Sequence, residues 1–200
     1  MADFDPGLGT EFLTGTGDNN IFIVKLDNNG NLIWARNMSG IGRGEGYSII
    51  VDKDGYVYTT GYFTSTIDFD PGEGTANLTG TGMSNVFVSK LDANGNYVWA
   101  KSMESTIYNY GNGILVDVNG NVYVTGEFAG IADFDPGEGI KSLTSVSLTD
   151  IFIFKLDGNG NLLWAKGIGD TGYDGGSALA FDSKENIYLT GYFGEVGGVS

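Results

Sequence analysis

Along most of the chain, apolar residues alternate with polar ones at period two. The alternating runs are rich in Val, Ile, Thr, Tyr and Phe and are broken at short intervals by Gly, Asn and Asp. No stretch carries the i, i+3, i+4 spacing of a helix. In the middle of the chain the pattern predicts one strand over residues 114–117, a tight turn over 118–120 and a second strand over 121–128. After a long connection, a third strand follows over residues 150–156, a turn over 157–160 and a fourth strand over 161–166. Asn-Gly between alternating runs is a hairpin signal, so each pair reads as antiparallel and the whole unit as a four-stranded meander.

The unit recurs. Asp-Phe-Asp-Pro-Gly stands at 3–7, 68–72 and 133–137, Lys-Leu-Asp at 25–27, 90–92 and 155–157, and Trp-Ala at Trp34, Trp99 and Trp164. Every interval is 65 residues, so the repeats are 3–67, 68–132 and 133–197 of a single repeat domain spanning 1–200. A four-stranded antiparallel sheet at a fixed period is the signature of a β-propeller blade, whose two faces are covered by neighbouring blades. The fold class expected is therefore all-β: β-propeller blades as four-stranded antiparallel meanders. The connection between second and third strands, residues 64–85, is too long to be structureless. Residues 65–69 and 75–79 flank the turn-rich 70–74, which predicts an extra protruding hairpin on each blade and makes these hairpins the expected contact surface.

Naming the strands a to d, the chain supplies c-d, then a-b-c-d twice, then a-b. That is three blade equivalents, below the roughly four to eight that close a propeller. Two readings follow: a homo-oligomer, with a dimer of six blades the simplest, or further blades of a longer chain. Past Phe193, Val196-Gly197-Gly198-Val199-Ser200 replaces the expected Ile-Asp-Phe-Asp and reads as an end.

The segments at 116–126, where strand a ends in Val-Asp and Asn-Gly-Asn-Val-Tyr-Val-Thr-Gly follows, and at 87–101, Phe-Val-Ser-Lys-Leu-Asp-Ala-Asn-Gly-Asn-Tyr-Val-Trp-Ala-Lys, resemble the SBBP-type bacterial β-propeller repeat. The resemblance covers essentially the whole chain. It implies a propeller fold and an extracellular or cell-surface bacterial protein, and no particular activity. Ser183-Lys184-Glu185-Asn186 departs from the motif by lacking the turn glycine, so another turn form is expected there.

Composition excludes several chemistries. With 34 Gly, 3 Pro, 13% aromatic and 18% charged residues, the chain is too apolar for disorder and too irregular for collagen. It has neither Cys nor His, which removes disulfides, thiolate nucleophiles, Cys/His zinc sites and imidazole acid–base catalysis. Twenty-five acids against ten bases give a net charge of −15, which repels phosphate backbones and anionic membranes. No nucleic acid, no membrane insertion and no enzyme activity are expected; no run reaches the 18 to 20 apolar residues of a span, and residues 1–7 do not read as a signal peptide.

Twelve of the twenty-five acids are turn aspartates repeated among the three units. In Asp-Phe-Asp-Pro-Gly two carboxylates lie two residues apart and project to one side of an extended chain. Asp3, Asp5, Asp68, Asp70, Asp133 and Asp135 are thus the candidate metal ligands, for Ca²⁺, set against a purely structural capping of Asx turns. The Asp27, Asp92 and Asp157 turns are read as hairpin turns. Trp34, Trp99 and Trp164 could form a row that stacks on sugars, or could be core between blades, as Phe22, Phe87 and Phe152 could. Lys25, Lys90 and Lys155 flank carboxylates and are read as weak surface pairs. Asn37 and Asn77 head short sequons that arise readily by chance. The function expected is a non-enzymatic scaffold binding a protein partner, with a multivalent glycan-binding module as the alternative.

Overall fold

A computed structural model describes residues 1–195; residues 196–200, on which the reading of the chain end and the last positions of the third repeat fall, lie outside the described residues. The chain opens with the short strands β1 (Ala2–Asp3) and β2 (Phe12–Leu13), then β3 (Ile21–Leu26) and β4 (Leu32–Gly40). One full unit follows: β5 (Gly44–Val51), β6 (Val57–Phe63), β7 (Thr66–Asp68), β8 (Asn77–Thr79), β9 (Asn85–Leu91) and β10 (Tyr97–Ser105). A second comprises β11 (Tyr108–Val116), β12 (Val122–Ala129), β13 (Ile131–Asp133), β14 (Ser142–Thr144), β15 (Asp150–Leu156) and β16 (Leu162–Ile168), and β17 (Gly175–Phe181) and β18 (Ile187–Tyr192) end the described chain. The fold is all-β, without a helix among the described residues, and strands a, b, c and d stand in meander order as β5-β6-β9-β10 and β11-β12-β15-β16.

Strand a is longer than its sequence suggests. β11 begins at Tyr108, in a run of Tyr, Asn and Gly that reads as a turn. The glycines there serve close approach instead. A Cβ on Gly126 would stand 1.7 Å from the Tyr110 carbonyl oxygen, and one on Gly111 2.3 Å from Thr60 Oγ1 of the preceding blade. Just beyond Gly111 the ladder skips one residue, and it does so at the equivalent place in all three a strands, between Gly46 and Ser48, Gly111 and Gly113, and Gly176 and Ala178. Tyr47, Asn112 and Ser177 are therefore the unpaired residues of a repeated β-bulge.

The inserted hairpin exists, but it is docked rather than free. β7 pairs with β4, Ser39 opposite Asp68 and Gly40 opposite Ile67, so the hairpin of one blade extends the outer edge of the preceding blade. β13 does the same on β10, with Glu104 opposite Asp133 and Ser105 opposite Ala132. The hairpins are anchored at their roots, where Phe69 and Phe134 are fully buried, while their tips over residues 72–75 and 137–142 stay exposed. The core lies between blades as stacked apolar faces, one cluster around Phe63, Phe69 and Phe87 and another around Phe128, Phe134 and Phe152. Among the described residues no closed ring is formed: strands c and d at one end (β3-β4, extended by β7-β8) and strands a and b at the other (β17-β18) lie in separate sheets.

Candidate interaction face and the joints between blades

In an up-and-down meander the a–b and c–d turns share one end of the blade, and the d–a connection and b–c insertion share the other. The two ends of these blades differ in kind.

At the first end the turns repeat one hydrogen-bonded form, although the residues of the a–b turns differ between repeats. Asp117 Oδ1 accepts the backbone N–H groups of Asn119 and Asn121 at 2.9 Å each, and Asn121 Nδ2–H donates to Asp117 Oδ2 at 2.7 Å. Gly120 N–H returns to the Asp117 carbonyl at 3.0 Å with Gly120 at φ +80°. This is a type I turn closed by a left-handed glycine, the three-residue hairpin, and not the two-residue Asn-Gly form that would place Asn at positive φ. Asp27, Asp92, Asp157 and Asp182 make the same bonds. The turn at 183–186 also keeps this form, because Glu185 takes φ +63° in the glycine's place.

These turns are where blades are joined. Trp34 Nε1–H donates to the Ala93 carbonyl at 3.2 Å and Arg36 Nε–H to the Gly95 carbonyl at 3.2 Å, both in the c–d turn of the next blade. Trp99 Nε1–H repeats the bond to Gly158 at 3.1 Å. Trp34 is buried and Trp99 partly so, and both indoles are engaged by protein, so neither offers a sugar-stacking platform. The lysines also differ from their reading as surface pairs. Lys25 and Lys90 donate to Ala93 and Gly158, while Lys90 lies 4.2 Å from the Tyr56 ring centroid and 5.0 Å from that of Tyr58. Burial holds the Lys90 ammonium below its usual pKa. Lys155 sits 4.7 Å over Tyr123 and 3.5 Å from Asp117 Oδ2, with both partner side chains mostly buried.

The six candidate calcium ligands lie at the other end, on the hairpins. Asp68 Oδ1 accepts the N–H groups of Asp70 and Ala76, and Asp70 Oδ1 accepts that of Gly72. Asp133 and Asp135, and Asp3 and Asp5, repeat this, so each carboxylate caps its own turn. Among the described residues no group of three or more acidic side chains gathers where it could hold a metal ion.

At this second end the repeats diverge, a signal legible in the 65-residue register once the end is located. Equivalent positions carry Arg43, Tyr108 and Tyr173; Glu45, Tyr110 and Gly175; Tyr47, Asn112 and Ser177; Tyr62, Glu127 and Tyr192. The first three sets open strand a, with the third at its bulge, and the last closes strand b. In the structure they form one patch. The Tyr47 and Tyr62 rings lie 5.6 Å apart, Tyr62 and Tyr110 5.0 Å apart edge to face, and Tyr108 and Tyr110 5.3 Å apart. Glu45 accepts from Arg43, from Asn19 Nδ2–H at 2.7 Å and from Tyr47 Oη–H at 3.2 Å, and Tyr192 Oη–H donates to Glu127. The Arg43 hydrogen bond holds Glu45 below its usual pKa. Burial and neighbouring carboxylates push the Tyr47 and Tyr192 hydroxyls upward, so both stay neutral hydrogen-bond donors at physiological pH. Bulges re-aim side chains beside functional sites, and this face gathers aromatic rings with carboxylates at their margins.

No family model matches the chain, so the SBBP resemblance rests on the motifs alone. The chain is 25% identical over 186 residues, 82% of its length, to an uncharacterized WD repeat-containing protein of Acanthamoeba polyphaga mimivirus. It is 28% identical over 145 residues, 71% of its length, to the regulatory protein FlaEY of Caulobacter vibrioides. It spans only 13% and 15% of these two relatives. With the blade order and the docked hairpins, the likeness to a WD repeat-containing protein supports a propeller-type repeat protein.

Proposed function

We propose that the chain is a non-catalytic protein-interaction scaffold that binds a partner through the divergent Tyr/Glu face, and that the partner presents a basic segment. One observation carries this: the turns that join blades keep one hydrogen-bonding pattern, while residues that differ between repeats meet in an aromatic patch around Tyr47, Tyr62 and Tyr110. A structural role asks for the same residue in every blade, and recognition of an asymmetric partner asks for different ones. Exposed Tyr47 and the Glu127 carboxylate, on a chain of net charge −15, favour Lys and Arg, as Glu45 in the same patch already holds Arg43. The absence of His removes imidazole acid–base chemistry, and the turn acids stand in the same setting in each unit. Binding of Lys/Arg-rich and Glu-rich peptides, followed by fluorescence anisotropy, tests the reading. Basic peptides should bind and weaken with added salt, and Tyr47→Ala with Tyr110→Ala should weaken them about tenfold or more. Equal binding of both peptide classes, or no loss in the double variant, would overturn it.

A further inference from the structure

Both complete blades carry the same cross-strand pair with its two residues exchanged. Glu45 on β5 stands opposite Tyr62 on β6, and Tyr110 on β11 stands opposite Glu127 on β12. The face therefore keeps one carboxylate beside one phenol in each blade and moves the carboxylate from strand a to strand b. In the first of these blades both carboxylate oxygens are engaged from within the chain. Glu45 Oε1 accepts Nε–H and Nη2–H of Arg43 at 3.0 and 2.5 Å together with the Asn19 amide at 2.7 Å, and Oε2 accepts the Tyr47 hydroxyl at 3.2 Å. One oxygen thus holds a guanidinium and the other a phenol.

Glu127 reproduces half of that arrangement. Its Oε2 accepts the Tyr192 hydroxyl, which takes the phenol's part. The contact needs Gly175, which stands where Glu45 and Tyr110 stand in the other units: a Cβ there would lie 2.6 Å from the Tyr192 ring and 2.7 Å from Glu127 Oε2. The guanidinium has no counterpart, because Tyr108 holds the position of Arg43. Among the described residues Glu127 enters no ion pair, and its Oε1 receives no hydrogen-bond donor. Tyr108 and Tyr110 lie two residues apart on one strand and so on the Glu127 side of it, half-buried, with their rings 5.3 Å apart. Burial and the Glu127 charge push the Tyr108 hydroxyl up, so this phenol is neutral at physiological pH.

We propose that Glu127, with the Tyr108 and Tyr110 rings, takes one arginine side chain of the bound partner, as Glu45 takes Arg43 within the chain; this rests on the reading of the Tyr/Glu face as the partner site. The guanidinium gives two N–H groups to Oε1 while Tyr192 keeps Oε2, and its plane lies against a tyrosine ring. Arginine suits the position better than lysine for two physical reasons. Its planar fork brings two donors to one carboxylate, as Arg43 does with Nε and Nη2, whereas an ammonium is a compact point charge. A guanidinium is also more weakly hydrated, so seating it between half-buried rings costs less desolvation. The basic segment is then read at one position by side-chain shape, in addition to its charge.

Two fluorescein-labelled peptides, one of Gly, Ser and Arg and one with Lys in place of every Arg, carry equal charge and separate this site from attraction by charge alone. The Arg peptide should bind the unmodified chain about tenfold more tightly than the Lys peptide. Glu127→Gln keeps an oxygen for the Tyr192 hydroxyl and removes the charge, so it should keep the folded spectrum and weaken the Arg peptide to the level of the Lys peptide. Tyr108→Arg, which restores the internal guanidinium of the other blade, should abolish the preference as well, because its own side chain competes for Glu127. Equal binding of the two peptides by the unmodified chain, or a preference retained in either variant, would overturn the arginine site. The two readings fail separately: salt-sensitive binding of both basic peptides at equal strength sinks the arginine site and keeps the face, and a Glu-rich peptide that binds as well as either sinks the face itself.

Discussion

Asp182 and its equivalents act first on their own turns, and their ionisation ties the fold to pH. The Asn186 amide and backbone N–H hold Asp182 below the ordinary aspartate value of 3.8, and Asn31 does the same for Asp27. A lowered folded pKa gives stability that is present above 3.8 and lost as pH falls through the folded value. Asp150 has the opposite sign: burial raises it and the charge of Asp174 raises it further. Its carboxylate therefore costs stability at neutral pH, a cost relieved as pH falls through the raised value and gone below 3.8. Asn85 holds the equivalent place, donating to Thr81 and accepting from Ser105. Asp150→Asn should raise the melting temperature at pH 7, with the gain vanishing near pH 3.5; a gain independent of pH would contradict this. Glu185→Gly should stabilise by about 1 kcal/mol in urea unfolding, by removing a side chain from the left-handed region at φ +63°. The sequence marked residue 185 as irregular without showing how the turn absorbs it, because the Asp182 and Asn186 bonds that force the geometry are themselves unchanged.

At the scale of the element, the meander, its period and most strand positions were legible in alternation and turn residues; the third strand at 150–156 coincides with β15. The long a strand was not, since Gly111 and Gly113 read locally as turn formers and only the neighbouring blade explains them. The hairpin could be foreseen, but not the β4 edge that receives it, because no local pattern names residues 27 and 29 positions upstream as its partners. Phe134→Ala should cost about 3–5 kcal/mol, since it empties a site enclosed by the rings of Phe128, Phe152 and Phe154. A loss of under about 1 kcal/mol by chemical denaturation would mean that the hairpin docks without contributing to the core.

For the whole molecule, a net charge of −15 concentrated partly in repeated turn acids predicts that salt stabilises the chain through screening of self-repulsion while weakening a basic ligand. Thermal melts and peptide titrations at low and high salt should move in opposite directions; parallel movement would separate the ligand from the acidic face. The Tyr/Glu site was present in the sequence only as differences between repeats, scattered over Arg43, Glu45, Tyr47 and Tyr62, with nothing to say that they meet. By itself the sequence determined the unit, its 65-residue period and its turns, because alternation and turn chemistry are local properties. Only the tertiary structure decided which edge each hairpin extends, that the tryptophans clamp the next blade's turn, and that the divergent residues form one face. Those outcomes depend on which surfaces pack across blades, and packing between segments distant in sequence leaves no periodic trace in the chain.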